Sequence, residues 1–466
     1  MHELSHDTIA AIATATGGGL GILRLSGPDA LSIGQRCFSA RFTDTPRRLT
    51  FGTFFDPQTA DQPLDDGLAV AFVAPHSFTG EPIVELHLHG GALHLTRCLE
   101  VLLAQGARPA EPGEFSRRAF LNGKLDLTRA EAIADLVAAQ TDHALRHARA
   151  HLQGALHTRV TSLRDALLDL RARLEVNVDF VDEDIPIFDA TTLASAAATL
   201  GHDLGALADT FHSARRLRDG ATVVLAGPPN AGKSSLFNAL VNADRAIVTP
   251  IAGTTRDALR EYLDIRGIPV TLIDTAGLRE TDDAVERIGV SRTHLAINDA
   301  DLVVYLLAPD LPDPNPANPE GQGGHPPDDL GRNAQKTVFV HSKADLSDPP
   351  ASSVYLDHQA SRPPNHLLRV STTTGLGLDS LKDAIAQSLG GLPSDDLVIV
   401  RERQHLALKA ASRAILRAAS GLSANLSPEL PAVDLQDAMD ELDRLVGHAT
   451  IEDVLDRLFS TFCIGK

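Results

Sequence analysis

Gly227-Pro-Pro-Asn-Ala-Gly-Lys-Ser234 is the stretch from which the rest of this chain can be read. Ahead of it stands Ala221-Thr-Val-Val-Leu-Ala226, short, β-branched and apolar, which predicts a buried strand. Behind it, Lys233 to Val241 takes helical periodicity. A glycine turn between strand and helix lets backbone N–H groups curl around a β-phosphate. The helix N-terminus already concentrates partial positive charge there. Lys233 can reach the β- and γ-phosphates, and the Ser234 hydroxyl can complete a Mg²⁺ shell. Asn230, Ala231, Gly232 and Ser235 share this loop and are expected at the phosphates, with Asn230 a further oxygen donor.

Outward from the loop, other motifs follow in a fixed order. The run Thr249-Pro250-Ile251-Ala252-Gly253-Thr254-Thr255-Arg-Asp257 comes after the first helix. A threonine there must reach Mg²⁺ and the γ-phosphate, and either Thr254 or Thr255 could serve. Asp274-Thr275-Ala276-Gly277 closes an apolar run, so Asp274 can meet Mg²⁺ through water while the Gly277 N–H meets the γ-phosphate. Ser342-Lys343-Ala344-Asp345 ends the next strand, where Asp345 could accept both N1–H and N2–H₂ of guanine. Adenine offers no such donor pair, so Asp345 argues for GTP. Ser371-Thr372-Thr373 would be the last base-contacting loop. Leu278 stands where a water-positioning glutamine is expected. Hydrolysis therefore needs Arg279, Glu280, Glu286 or a partner's group.

Around this core, strand patterns at Leu259–Ile265, Pro269–Asp274, Asp301–Leu307, Thr337–His341 and Leu367–Val370 predict a doubly wound α/β sheet. Residues 308–333 are rich in Pro, Gly and Asp and predict a mobile surface loop. On the N-terminal side, Leu145, Ala148, Leu152, Leu156, Val160, Leu163, Leu167, Leu170 and Leu174 step by threes and fours, predicting one very long helix. A second stripe runs from Leu193 to Phe211. Such stripes need more helices to cover them. Candidates lie far along the chain, at 395–420, around Leu435 to Leu445, and after Thr450. A bundle built from both flanks makes the phosphate-loop domain an insertion. Residues 1 to about 120 read as mixed α/β, with strands at Leu20–Leu25, Gly67–Val73 and Pro82–Leu88. Arg24 and Glu85 are charged residues inside two of those strands, and Lys124 ends a dense polar stretch.

Composition narrows the function. A net charge of −19 over 466 residues opposes a broad nucleic-acid-coating surface. Cys37, Cys98 and Cys463 have neither a zinc spacing nor a disulfide framework, which fits a reduced, cytoplasmic setting. No apolar run is long enough to span a bilayer, so no membrane is expected. His87 and His89, beside a Gly-Gly turn, read as structural rather than as metal ligands.

These residues, with the ending Phe462-Cys-Ile-Gly-Lys466, resemble the MnmE (TrmE) family of tRNA modification GTPases. The resemblance extends over the whole chain, through Gly19–Gly27, Ser77–Glu81, Pro112–Asp126, Gly227–Ser235, Ala246–Asp257, Asp274–Glu280 and Val285–Gly289. It implies a folate-binding and dimerising domain at 1–120, a helical domain from 121–219 and 380–466, and an inserted Ras-like G domain at 220–379. It implies a homodimer working with the flavoprotein MnmG (GidA) in a hetero-oligomer, on carbon 5 of the wobble uridine of tRNA. By the same resemblance, 5-formyltetrahydrofolate would be held by Arg24, Glu85, Lys124 and Lys466. K⁺ would be held by Asn230, Thr249, Ile251 and Thr254, Mg²⁺ by Ser234 and Thr255. Lys233, Thr255 and Glu286 would be catalytic, with Glu286 orienting water. The chain departs from the family at Ser342, where Asn is usual, and at Thr372, where Ala is usual; the shorter Ser342 predicts a looser base pocket. A ribosome-assembly or signalling GTPase switch, and a folate-dependent one-carbon transferase with a regulatory G domain, are the competing classes.

Overall fold

Alternating apolar residues fold into strands where one face can be covered, and the N-terminal third does this around a single sheet. The computed structural model describes residues 7–59, 63–179, 189–243, 260–275, 296–307, 336–346, 368–391, 397–448 and 452–465. The first sheet contains β1 (Ile9–Ile12), β2 (Leu20–Ser26), β3 (Thr50–Phe55), β4 (Pro63–Phe72), β5 (Ile83–His89) and β6 (Arg108–Pro109), in the order β3-β4-β5-β2-β1-β6. Its pairings are antiparallel except β1 with β6. Leu23 and Leu25 of β2 share a face with Leu86 and Val84 of β5, and that face is buried. Ile33 of the helix Ala30–Arg36 and Leu95 and Leu102 of the helix Ala92–Ala104 complete the core. Each such fully buried Leu or Ile contributes about 1.5–3 kcal/mol relative to exposure. Alternation then puts Arg24 and Glu85 together on the opposite face.

The expected single long helix over Leu145–Leu174 is two, Asp142–Leu152 and Ala155–Asp179, with a separate helix Leu127–Ala138 before them. Gly154 causes the last break. It sits at φ +92°, and a Cβ there would come within 2.2 Å of the Arg129 guanidinium. A helix cannot run through that conformation, and only glycine leaves Arg129 its space. Leu145 drops out of the stripe at 45% exposure, while Leu156, Val160, Leu163, Leu167, Leu170 and Leu174 stay buried. The second stripe likewise splits into Ala190–Asp209 and Phe211–Asp219. Late helices form at Glu402–Ser423, Glu429–Val446 and Glu452–Phe459; Thr450 lies outside the described residues. The helices Ala155–Asp179 and Glu429–Val446 pack together, and Arg164 Nε donates to Asp443 Oδ1 at 2.6 Å across them.

The second sheet holds β7 (Ala221–Ala226), β8 (Arg260–Ile265), β9 (Ile268–Asp274), β10 (Leu302–Leu307), β11 (Thr337–His341) and β12 (Leu368–Arg369). Its order is β12-β11-β10-β7-β9-β8, parallel throughout except for the β8–β9 hairpin. Buried apolar residues lie on both faces. Val223, Leu225, Leu272 and Val304 meet Leu236 and Leu240 of the helix Lys233–Ala243 on one side. Val224, Ile273, Val303 and Tyr305 meet Ile297 on the other. This is a doubly wound α/β sheet, as its sequence predicts. The chain divides into two packed units, each discontinuous: Met1–Ala134 with His151–Ala197 and Arg417–Lys466, and Asp135–Ala150 with Ala198–Leu416. The segment 308–333 lies outside the described residues.

Candidate functional site

In the second sheet, β7 delivers the chain into a loop that only special backbone conformations permit. Gly227 takes φ +144°, and a Cβ there would lie 2.7 Å from the Leu306 carbonyl oxygen. Asn230 is left-handed at φ 62°, and Gly232 at φ 91°. The loop tightens through Ala231 N–H to the Pro228 carbonyl at 3.3 Å, and the helix starts with Leu236 N–H on the Gly232 carbonyl at 2.9 Å. Lys233 is buried, its ammonium donating to the carbonyls of Gly227 at 3.0 Å and Pro228 at 2.8 Å. The Ser234 hydroxyl donates to Asp274 Oδ2 at 2.6 Å, joining the helix start to the end of β9. Asp274 is fully buried, and Ser235 is exposed. The Thr275 hydroxyl is turned back onto the Leu225 carbonyl at 2.9 Å.

The base-side residues gather at the ends of β11 and β12. The Ser371 hydroxyl donates to Asp345 Oδ1 at 2.6 Å, fixing the carboxylate that is expected to read guanine. Lys343 is left-handed at φ 53°, and Ala344 N–H reaches the Val370 carbonyl at 3.2 Å. Ser342 is buried, and its hydroxyl lies 2.7 Å from the Ala231 carbonyl and 3.0 Å from that of Leu307. Shorter than Asn, it nevertheless ties the end of β11 to the loop that follows β7. Thr372 and Thr373 are exposed. Just before Ser342, the buried His341 imidazole makes no hydrogen bond among the described residues. Burial pushes its pKa down, and Arg369 adds to the effect.

On the first sheet, Arg24 and Glu85 are direct cross-strand partners. Arg24 donates to Glu85 Oε1 through Nε at 2.9 Å, with Nη2 at 2.8 Å. Neither charge simply faces water: the side chains are 24% and 17% exposed. Arg24 Nη1 also donates to the Gly465 carbonyl at 3.2 Å, and its guanidinium lies 5.7 Å from the Phe115 ring centre. The last described residue of the chain is thus held against its second strand. His87 Nε2 stands 3.5 Å from Glu85 Oε2, an electrostatic contact rather than a hydrogen bond. That imidazole holds the Glu85 carboxyl below its usual range against the opposing effect of burial, and Arg24 acts in the same direction. Lys124 donates instead to the Pro75 carbonyl at 3.0 Å. No hydrogen bond among the described residues joins it to Arg24 or Glu85. Lys466 is outside the described residues.

Two family models match the sequence. One, for the MnmE helical domain, matches residues 127–463, and one for the GTP-binding protein TrmE N-terminus matches residues 8–124. The chain belongs to the MnmE (TrmE) family. Proteins named tRNA modification GTPase MnmE align along the full length. That of Symbiobacterium thermophilum is 40% identical over 99% of this chain and 100% of its own. That of Pseudomonas fluorescens is 43% identical over 99% of each, and that of Aquifex aeolicus 38% over 99% and 100%. Among solved structures, the G domain of the T. maritima FeoB iron transporter aligns with 36% of this chain and 98% of its own, at 26% identity and a TM-score of 0.26.

For an MnmE-family chain, several expected positions lie outside the described residues: Thr249, Pro250, Ile251, Ala252, Gly253, Thr254, Thr255, Ala276, Gly277 and Glu286, and with them Leu278, Arg279 and Glu280. The sequence reading did not single out Ser371 as the support of Asp345, nor His87 and Phe115 beside Arg24. For Ser371 the signal was present, since a hydroxyl opens the loop already marked for the base. Nothing in the sequence pairs Gly465 with Arg24, which are 441 positions apart. The buried Cys37 and Cys98 thiols are each pushed up to about 12 by burial and so stay protonated, while Cys463 is exposed.

Proposed function

We propose that this protein is an enzyme that hydrolyses GTP in tRNA modification, acting on carbon 5 of the wobble uridine in the cytoplasm. The reading is carried by the Ser234–Asp274 contact at 2.6 Å beside the buried Lys233, a strand and a helix converging where a triphosphate and its metal must meet. Two hard oxygen donors side by side are what Mg²⁺ takes, so Ser234, with Thr255, would hold it. The ion supplies charge neutralisation along the phosphates. Lys233, now on two neutral carbonyls, would exchange them for charged β- and γ-oxygens, a stronger pairing. Asp345, steadied by Ser371, would select guanine, and Thr372 and Thr373 would lie along the base.

Leu278 cannot orient water; by the family resemblance Glu286 would take that role. The loop from Thr249 to Thr254, with Asn230, supplies oxygens suited to K⁺, which would neutralise charge between the β- and γ-phosphates as an arginine finger does elsewhere. The left-handed Asn230, in the phosphate loop itself, fits that donor set. Two G domains would pair to bring Glu286 over the γ-phosphate. The one-carbon unit would come from 5-formyltetrahydrofolate. The Arg24–Glu85 pair, ringed by Phe115 and the Gly465 carbonyl, combines charge and an aromatic face, which suits a carboxylate-bearing pterin, with Lys124 and Lys466 as further cations. The partners follow: a homodimer, the flavoprotein MnmG and tRNA. The domain division at 1–120, 121–219, 220–379 and 380–466 belongs to the same proposal.

Turnover of GTP in K⁺ and in Na⁺ at matched ionic strength, for the wild type, Asn230→Ala and Glu286→Ala, tests the chemistry. Glu286→Ala is expected to slow turnover by about two orders of magnitude while sparing nucleotide binding. Equal wild-type rates in the two salts would refute the cation mechanism. Analysis of wobble uridine in a deletion strain tests the pathway. Unmodified uridine is expected, and normal modification would instead favour a ribosome-assembly or signalling switch.

A further inference from the structure

A cavity of 820 Å³ opens in the first unit, its lining holding neither Arg24 nor Glu85, where the polar stretch ending at Lys124 meets the helices Ala155–Asp179 and Glu429–Val446. Its lining carries the cations Lys124, Arg129 and Arg444 and the imidazoles of His157 and His448, with the carboxylate of Asp126; from outside the lining, Glu441 pairs with Arg444 at 2.6 Å and Asp443 Oδ1 lies 3.9 Å from His448 Nδ1. In a chain of net charge −19, three cations against one carboxylate in a single lining stand out. Asp126 does not neutralise it in full. One of its oxygens caps the helix Leu127–Ala138, accepting from the Thr128 hydroxyl and from Arg129 N–H. The other lies 3.3 Å from both Arg129 Nε and His157 Nδ1. Both of those nitrogens are buried, and neither makes a hydrogen bond among the described residues. Arg129 is held in place because Gly154 has no Cβ to displace it. The rest of the wall is apolar, with Phe120, Leu121 and Leu455.

We propose that this cavity receives one nucleotide unit of an RNA chain, its phosphate held by Arg129, Arg444 and His448 and its base laid against Phe120 and Leu455. The proposal rests on the tRNA reading above and adds the place of contact. Guanidinium groups match phosphate oxygens in geometry as well as charge. An aromatic ring beside them suits an unstacked base, which is how proteins take hold of single-stranded RNA. The volume lies within the range of small-molecule sites and admits a mononucleotide with water around it. A localised cationic pocket also explains how so acidic a chain engages a polyanion: the contact is a point, not a coat.

The test uses the full-length chain without GTP. Anisotropy of a labelled unmodified tRNA transcript is followed over a salt series for the wild type, for Arg444→Glu with His448→Glu, and for Arg97→Glu. Arg97 is a matched control: it is exposed on another helix and pairs with Glu100 three residues away, as Arg444 pairs with Glu441. Thermal melting and GTP turnover confirm that the variants are folded. The expected result is at least a tenfold rise in tRNA Kd for the pocket double variant, a salt slope shallower by about one to two, and a change of about twofold or less for Arg97→Glu. Equal losses in both variants, or none in the pocket variant, overturn the proposal. Calorimetry with uridine 5′-monophosphate separates the sources. If it binds the wild type and not the pocket variant while tRNA affinity is unchanged, the ligand is a free nucleotide and the RNA assignment is overturned. A wild type that does not bind tRNA also overturns it. The functional reading then stands or falls separately, on wobble uridine in the deletion strain.

Discussion

Asp345 and Ser371 show what one hydroxyl does for specificity. The carboxylate that should read guanine is held by a 2.6 Å hydrogen bond from Ser371, so its orientation is set in advance of the base. Asp345→Asn should weaken GTP by roughly 2–3 kcal/mol and relax selectivity toward xanthosine nucleotides, because an acceptor becomes a mixed donor and acceptor. Ser371→Ala should cost about 1 kcal/mol, near fivefold in Kd, with selectivity kept. Nucleotide titrations with both bases check this, and normal GTP affinity in Asp345→Asn would remove it from the base site. At Glu85 the sign follows from a depressed folded-state pKa. Its contribution to stability is complete above the ordinary carboxylate range and is lost as pH falls through the lowered value. Glu85→Gln should therefore flatten part of the acid limb of stability, read as urea midpoints at neutral pH and at about pH 3. An unchanged difference between those midpoints would place the acid sensitivity elsewhere, at Glu114 or Asp65, whose carboxyls are also held low. These residues differ in how legible they were. Asp345 was marked by a strand end and a lysine two positions earlier. His87 and Phe115 were not, because their role depends on cross-strand register and on a helix that is remote from β2 in sequence.

At the scale of elements, the phosphate loop is where local sequence and local structure agree most closely. Gly227 is bound to its place by the Leu306 carbonyl, 2.7 Å from where a Cβ would stand, and by φ +144°. Gly227→Ala should therefore move the loop away from β10 at a cost of a few kcal/mol, and nucleotide affinity should fall with it. Melting temperature and GTP titration together check the point; a variant that binds GTP as tightly as wild type would mean the loop absorbs the strain. All six strands of the second sheet were legible within a residue or two, helped by the motifs that close β7, β9 and β11. The first sheet was half legible. β1 is four residues and β6 two, too short for alternation to register; β1 is held between β2 and β6, and β6 by its pairing with β1. The long helix misread at Gly154 is instructive. Periodicity continues through a break when the helices on either side share a covered face, so the glycine, not the stripe, carried the information. Ser342 was expected to loosen the base pocket, yet its hydroxyl spans to Ala231.

Over the whole molecule, sequence distance and spatial distance part company. The helix Glu429–Val446 packs on Ala155–Asp179, and Gly465 meets Arg24. Patterning shows that such helices need partners but does not say which, because any apolar stripe fits many others. A chain shortened to end at Phe462 should lose the Gly465 carbonyl from Arg24. Calorimetry with 5-formyltetrahydrofolate should then show binding weakened about tenfold or more in a chain that melts as the wild type does. Undiminished heat would place the ligand away from the tail. One further consequence follows from β9. It is paired on both sides, with β7 and β8, and its seven residues end at Asp274 beside Ser234. At its other end the preceding Gly267 carbonyl accepts the buried Thr141 hydroxyl at 2.8 Å. A strand braced along both edges transmits a push along its axis rather than bending, over a length of about 20 Å. β9 is thus a strut with one foot in the phosphate site and the other on the turn that opens the helix Asp142–Leu152.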